Sequence, residues 1–198
     1  MESASPNNLR RLLFKYRSYT PIPFLIVMVF YAKPTVASLL VGATVAVIGE
    51  LTRFWGVSYA GSETRTTGNV GGTQLVTVGP YAHVRNPLYL GNILMYTGIG
   101  VMSNALMPYL VIVAVAYFAF QYSAIVALEE EYLGRTFSNW REYASSVPRF
   151  IPSLKKYPAR GSLMPDYLRA LRSERSSLIA LSSVSTLLVV MHFYRRPV

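Results

Sequence analysis

The sequence lacks cysteine altogether and is poor in charge. Without cysteine there is no disulfide framework and no thiolate metal site, which agrees with a reducing compartment. The two histidines, His83 and His192, are too few and too far apart to suggest another kind of metal site. Asp, Glu, Lys and Arg make up 14% of the 198 residues, against roughly 25% in soluble domains, and that deficit points to lipid. Neither a G-x-x-x-x-G-K-S/T loop nor a strand-glycine-helix fingerprint occurs, so nothing reads as a phosphate loop. Internal repeats, low-complexity tracts and composition breaks are also missing, and residues 1–198 read as a single membrane domain.

What the chain does have is long uncharged runs. Between Arg85 and Glu129 lie 43 consecutive residues without a formal charge. At about 1.5 Å per helical residue they reach roughly 64 Å, enough to cross a roughly 30 Å hydrocarbon core twice. The simplest reading is a central helical hairpin at about 87–128. Its turn is expected near Ser103 and Asn104, with Pro108 in the opening turn of the second helix. Residues 35–57 read as a further span interrupted only by Glu50 and Arg53. Residues 176–194 form another, weakened by six Ser and Thr. Residues 18–32, with Pro21 and Pro23 near their start, are short for a full crossing and suit a tilted or interfacial helix. A signal peptide is the rival reading there, but the basic region before it is long and no clean small-x-small site follows. The predicted fold is therefore an all-α integral membrane bundle of about five transmembrane helices.

Basic residues set the expected orientation. With five crossings and the N-terminus inside, 16 of the 19 Lys and Arg residues fall on inner segments, leaving Lys33, Arg195 and Arg196 outside. The N-terminus, the loop before Arg85 and the segment after Glu129 are then cytoplasmic. A net charge of +10 needs no nucleic-acid partner, because anionic headgroups suffice.

Two polar clusters flank the hairpin. In "YAHVRNPLYLGN", Asn86 is a good N-cap, Pro87 suits the first helical position and Arg85 could snorkel at the interface. Beyond them Tyr89, Asn92 and Tyr96 share one helix face, which lipid contact does not call for. At the other end stand Glu129, Glu130 and Glu131, which oppose the macrodipole of a helix C-terminus and invite cationic or hydroxyl-rich neighbours, Arg135 or the basic loop among them. After them, residues 129–143 are expected to leave the membrane as one polar helix with Leu133, Phe137 and Trp140 on a single face. Residues 61–72 form a polar loop, and "TQLVTVGPY" a short extended piece ending in a Gly79-Pro80 turn. Both ends of the hairpin lie on the inner face, so the clusters should meet as a half-buried cytoplasmic pocket with an anion end, an acidic end and aromatic walls. S-adenosylmethionine fits that description: its carboxylate suits Arg85 and the helix N-terminus, its ribose hydroxyls or ammonium suit Glu129, and its sulfonium suits tyrosine faces. An anionic lipid headgroup meets half of the same requirements.

The stretch "LVTVGPYAHVRNPLYLGN", followed some forty residues later by "EEEYLGRTFSNWREYASSVPRFIP", resembles the integral-membrane superfamily of isoprenylcysteine carboxyl methyltransferases and phospholipid N-methyltransferases. The resemblance covers residues 73–152, which it marks as a cofactor-binding methyltransferase core. It implies S-adenosylmethionine binding by Thr73, Gln74, Leu75, Val76, Tyr81, Asn86, Pro87, Leu88, Tyr89 and Glu129. Three departures stand out. The family's Arg-His-Pro reads Arg85-Asn86-Pro87, the histidine that opens the Thr73 segment in the prenylcysteine enzymes is missing, and Ile125 stands where those enzymes carry an arginine that holds the substrate carboxylate.

The expected activity is methyl transfer to a lipid-like or prenylated acceptor, with phospholipid N-methylation as the alternative. Arg85, His83 and Glu130 are the candidate catalytic groups, His83 or a glutamate serving as base if the nucleophile is an amine. Glu50, Arg53 and Arg149 are the candidate substrate contacts, although Glu50 and Arg53, one turn apart, also suit a structural ion pair and Arg149 an interfacial anchor. The acceptor is expected to arrive sideways from the bilayer, between the helices that begin at Thr35 and Pro87. A sterol-type NADPH-dependent membrane reductase and a non-enzymatic lipid-binding protein are the readings from other classes.

Overall fold

A computed structural model describes residues 6–61, 74–158 and 163–194. Among them are seven α-helices and no strand: α1 (Pro6–Tyr16), α2 (Pro21–Phe30), α3 (Val36–Ala60), α4 (Pro87–Ser103), α5 (Tyr109–Thr136), α6 (Trp140–Ser146) and α7 (Tyr167–Tyr194). Three of these, α3, α5 and α7, are long and apolar enough to cross a membrane. The architecture is an all-α membrane bundle. Of the five expected crossings, α4 has 17 residues and lies antiparallel along α3, while α2, with 10 residues, reaches only about 15 Å and does not span.

Local chemistry explains the helix limits. Thr35 caps α3 through a reciprocal box in which its side chain accepts from the Ser38 N–H and the Ser38 hydroxyl accepts from the Thr35 N–H. Asn104, in the left-handed region at φ 49°, stops α4 where the turn is expected, and Pro108 immediately precedes α5. The last helix starts nine residues before the apolar run, at Tyr167. There the Asp166 carboxylate accepts from the Arg169 N–H in the first turn.

The tightest contact in the bundle joins α3 to α4. Gly42, Gly49 and Gly56 recur every seven residues on α3, and Gly91 and Gly98 do so on α4. A Cβ added at Gly42 would lie 2.5 Å from the Gly98 carbonyl oxygen, and one at Gly49 would lie 2.7 Å from that of Gly91. Such backbone approach is open only to small residues and is a common way for helices to associate in lipid. It also shuts the passage that an acceptor would need between α3 and α4, so the expected route is closed. Around this pair, Met28 of α2, Met95, Ile99 and Met102 of α4 and Leu188 of α7 form one apolar cluster. Phe14 of α1 joins Ala114, Phe118, Tyr122 and Ile125 of α5 in another.

Hydrogen bonds show which helix ends share a face. At one face Asp166 N–H donates to the Ser58 carbonyl (2.8 Å) and Tyr89 reaches Glu129. At the other, Lys33 N–H donates to the Ser103 carbonyl (2.9 Å) and His192 Nδ1 to that of Pro34 (2.7 Å). Thr20, just before α2, hydrogen-bonds Gln121 in the middle of α5 (3.0 Å), so α2 covers only the half of the bundle farther from Glu129.

Two local expectations give way. The helix through residues 129–143 breaks: Phe137 turns to extended backbone (φ −115°, ψ 120°) and α6 restarts at Trp140. Leu133, Phe137 and Trp140 stay together nonetheless, because the break folds Trp140 back onto Leu133. The piece expected to be extended contains no strand among its described residues and ends in a 3₁₀ turn, Gly79–Ala82. Gly79 (φ +60°) packs so closely on the Tyr59 ring that a Cβ would lie 2.5 Å from it.

Candidate functional site

The face that carries Glu129 opens into a cavity of about 570 Å³. One wall is the first two turns of α4. Asn86 holds the cap position and Pro87 the first helical one, as expected. The Asn86 side chain makes no cap bond, however. Its amide donates instead to the Arg149 carbonyl (3.1 Å), tying the helix start to the segment after α6. That segment, residues 147–157, straps the loop before α4: Arg85 N–H donates to Pro148, Ser153 N–H to His83 and Tyr157 N–H to Ala82, each at 2.9 Å.

The three consecutive glutamates meet three different fates. The Tyr89 hydroxyl donates to Glu129 Oε1 at 2.6 Å inside the cavity. Glu130 is ion-paired with Arg85 (3.2 Å) and accepts from Arg149 on both of its oxygens. Glu131 pairs with Arg135 one turn on, at the surface, where such pairs contribute little. The adverse placement of acids at a helix C-terminus is thus offset by a tyrosine and three arginines.

Aromatic rings frame both ends of the cavity. Toward the strap, Trp140 and Tyr143 pack with Leu75 and Leu133, and the Tyr143 hydroxyl donates to the Tyr81 carbonyl (2.8 Å). Burial pushes the Tyr81 hydroxyl far above its usual range, and Tyr143 and Glu129 nearby push it further. Burial also raises Tyr143, with Arg85 opposing. Both phenols therefore stay protonated donors at any working pH. Deeper, the Tyr89 and Tyr122 rings are 4.8 Å apart, and Tyr96 and Asn92 line the same wall.

At this deep end Arg53 joins three helices. Its guanidinium donates to Asn92 of α4, to Glu174 of α7 (2.6 Å) and to Ser177 (3.3 Å), with Glu50 3.5 Å from its Nε. Glu174 is fully buried, and such a carboxylate is tolerated only in company with a cation.

All the described residues expected to bind the cofactor line this one cavity: Gln74, Leu75, Val76, Tyr81, Asn86, Pro87, Leu88, Tyr89 and Glu129. Thr73 lies outside the described residues. Of the candidate catalytic groups Arg85 and Glu130 line the cavity, whereas His83 stands behind it with Nδ1 donating to the Ser153 carbonyl (2.9 Å). Among the candidate substrate contacts only Arg53 lines it. Glu50 sits behind Arg53, and Arg149 is held on Glu130 at the rim. Sequence reasoning passed over Glu174, Ser177 and Tyr122. Glu174 had a signal, an isolated acid among arginines just ahead of an apolar helix; Tyr122 had none, being one aromatic in an apolar run.

An all-α membrane bundle with an acid, tyrosine and arginine pocket at one face is the class defined so far. The sequence profile described as phospholipid methyltransferase matches residues 37–139, from the first turn of α3 to the break before α6. The chain belongs to the phospholipid methyltransferase family. It is also similar to the cobalt-zinc-cadmium resistance protein CzcN of Cupriavidus metallidurans, with 34% identity over 118 residues, 60% of this chain and 49% of that protein. With the nickel-cobalt-cadmium resistance protein NccN of Alcaligenes xylosoxydans xylosoxydans it shares 31% identity over 125 residues, 63% of this chain and 53% of that protein. The chain spans about half the length of these curated relatives. No solved structure matches it.

Proposed function

We propose that the protein transfers a methyl group from S-adenosylmethionine to a lipid-like acceptor at the inner face of a membrane. The observation that carries this reading is the Tyr89–Glu129 hydrogen bond in the wall of a cavity that Gln74 to Val76, Tyr81 and Arg85 to Tyr89 also line. The donor set suits the cofactor. Glu129 offers a carboxylate for hydroxyl or ammonium groups, while Leu75, Leu133 and Trp140 offer an apolar slot for a flat ring. Arg85 keeps a buried Nε with no hydrogen-bond partner, a donor left for a carboxylate. When bound, S-adenosylmethionine supplies an electrophilic methyl group on a sulfonium.

The work left to the chain is alignment and exclusion of water, and alignment alone is worth roughly 7–11 kcal/mol in well-oriented reactions. Tyr89, Tyr96 and Tyr122 present ring faces that tolerate a cation. Arg53 and Asn92, one turn deeper than Tyr89, are the groups available to orient the acceptor head.

A phospholipid acceptor suits the site better than a prenylcysteine. Ile125, where a carboxylate-binding arginine is expected, is fully buried beside Phe14 and Tyr122. With α3 sealed to α4, the acceptor enters between α1 and α7. Phe14, Arg17 and Ser18 line one side of the cavity there, and Glu174, Ser176 and Ser177 the other, with α2 reaching only the far half. The metal-resistance names of the two relatives are compatible with an enzyme that alters the membrane itself. Among the described residues no group of three His, Cys, Asp or Glu could hold a metal ion.

Calorimetric titration of the detergent-purified protein with S-adenosylhomocysteine, beside Glu129→Ala and an NADPH control, tests the proposal. Low-micromolar binding is expected, weakened about 10- to 100-fold in the variant, the range for a lost hydrogen bond to a charged group. Failure of the folded protein to bind would sink the reading, and NADPH binding instead would favour the reductase.

A further inference from the structure

We propose that α1 is a docking surface for anionic phospholipid, and that its seating on the bilayer completes the wall of the cavity. The division of its faces carries this. Phe14 is buried against Tyr122 and Ile125, fixing α1 to α5. Leu9, Leu12 and Tyr16, spaced three and four apart on another stripe, are 49%, 54% and 47% exposed. Arg11 and Lys15 are exposed along the flank of that stripe. The segment PNNLRRLLFKY contains no acid, so nothing within it neutralises Arg10, Arg11 and Lys15.

An apolar stripe bordered by cations, on a helix that lies beside the bundle rather than within it, has the form of an interfacial membrane helix. Depth agrees with this. Phe14 sits one turn inward of Glu129, and the chain then enters α2 at the level of Gln121, which brings Leu9, Leu12 and Tyr16 to the headgroup and acyl boundary. Charge complementarity selects the partner: a basic flank without acids fits anionic headgroups, each cation contributing about fivefold in affinity at such a surface.

The same helix serves the site. Phe14 of α1, with Arg17 and Ser18 just past its end, forms one side of the cavity, and the Arg17 guanidinium folds over the Phe14 ring at 4.0 Å and donates to the Phe14 carbonyl (2.9 Å). A shift of α1 away from α5 would open that side to water. Lipid composition thereby sets how complete the pocket is.

The test exploits the absence of native cysteine. A polarity-sensitive fluorophore on Leu12→Cys is read in nanodiscs of phosphatidylcholine alone and of phosphatidylcholine with about one-third phosphatidylglycerol. A blue shift in the anionic discs, abolished when Arg10, Arg11 and Lys15 are all changed to Gln, is expected. Equal emission in both discs, or a shift that survives the triple change, would overturn the proposal; the stripe would then cover neutral lipid or a second copy of the chain. S-adenosylhomocysteine affinity in the same discs reads the coupling, and about threefold or more tighter binding in the anionic discs is expected. This second readout rests on the cofactor reading. Affinity that is measurable but blind to lipid overturns the coupling, whereas no binding in either disc removes the cofactor reading and leaves the emission result to decide the docking.

Discussion

Where α3 meets α4, glycine backbone lies against glycine backbone; where α1 and α5 face α7, side chains stand apart around about 570 Å³ of space. The difference follows from what each side must do. A pair of helices in lipid gains little from the hydrophobic effect and must hold by close van der Waals approach. The side proposed to admit a cofactor and a lipid cannot be packed in that way. Arg53 belongs to both halves, being rooted in α3 and bonded across the cavity's deep end to α7.

Breaking that joint should have the largest effect. Arg53→Met removes the cation between the buried carboxylates Glu50 and Glu174 and should cost about 3–5 kcal/mol. The loss would show as a lower unfolding midpoint in detergent, and Arg53→Met with Glu174→Met should recover part of it. Gly98→Val attacks the tight side alone. Its added atoms meet the Ala46 N–H at 2.4 Å and the Gly42 carbonyl at 2.5 Å, so a cost near the top of the ~1–3 kcal/mol overpacking range is expected, read by the same unfolding measurement. Ser177→Val on the cavity side adds bulk to open space and loses one long hydrogen bond, and should stay within about 1 kcal/mol. If Gly98→Val and Ser177→Val proved equally costly, the contrast between the two sides would not stand.

Much of this was legible in the residues. Thr35, Asn86-Pro87, Asn104 and Pro108 mark helix limits because capping and turn chemistry is local. The meeting of Tyr89 with the glutamates followed from counting two crossings in 43 uncharged residues. Other features were hidden by their physical nature. The seven-residue glycine spacing carries the main packing contact, yet glycine adds nothing to an apolar profile. The break at Phe137 has only Gly134, one turn earlier, to announce it: the bare backbone there lets the Trp140 ring fold back so closely that a Cβ would lie 3.1 Å from it. Four charges between Arg169 and Arg175 disguised the first turns of α7, and with them Glu174. The partners of Arg85 and Arg149 depend on where the strap crosses, which no local pattern encodes.

That strap has a consequence for the order of events during synthesis. His83 and Ser153 are 70 residues apart, and Ala82 meets Tyr157 from farther still. A nascent chain released only as far as the end of α5 would already hold Tyr89, Glu129 and the glycine pair, but its loop before α4 would have nothing to lie on. Loop closure over such a span is slow and comes after local helix formation. The pocket is therefore among the last parts of the molecule to form, and a ribosome paused before Tyr157 leaves a bundle whose loop before α4 still lacks its strap.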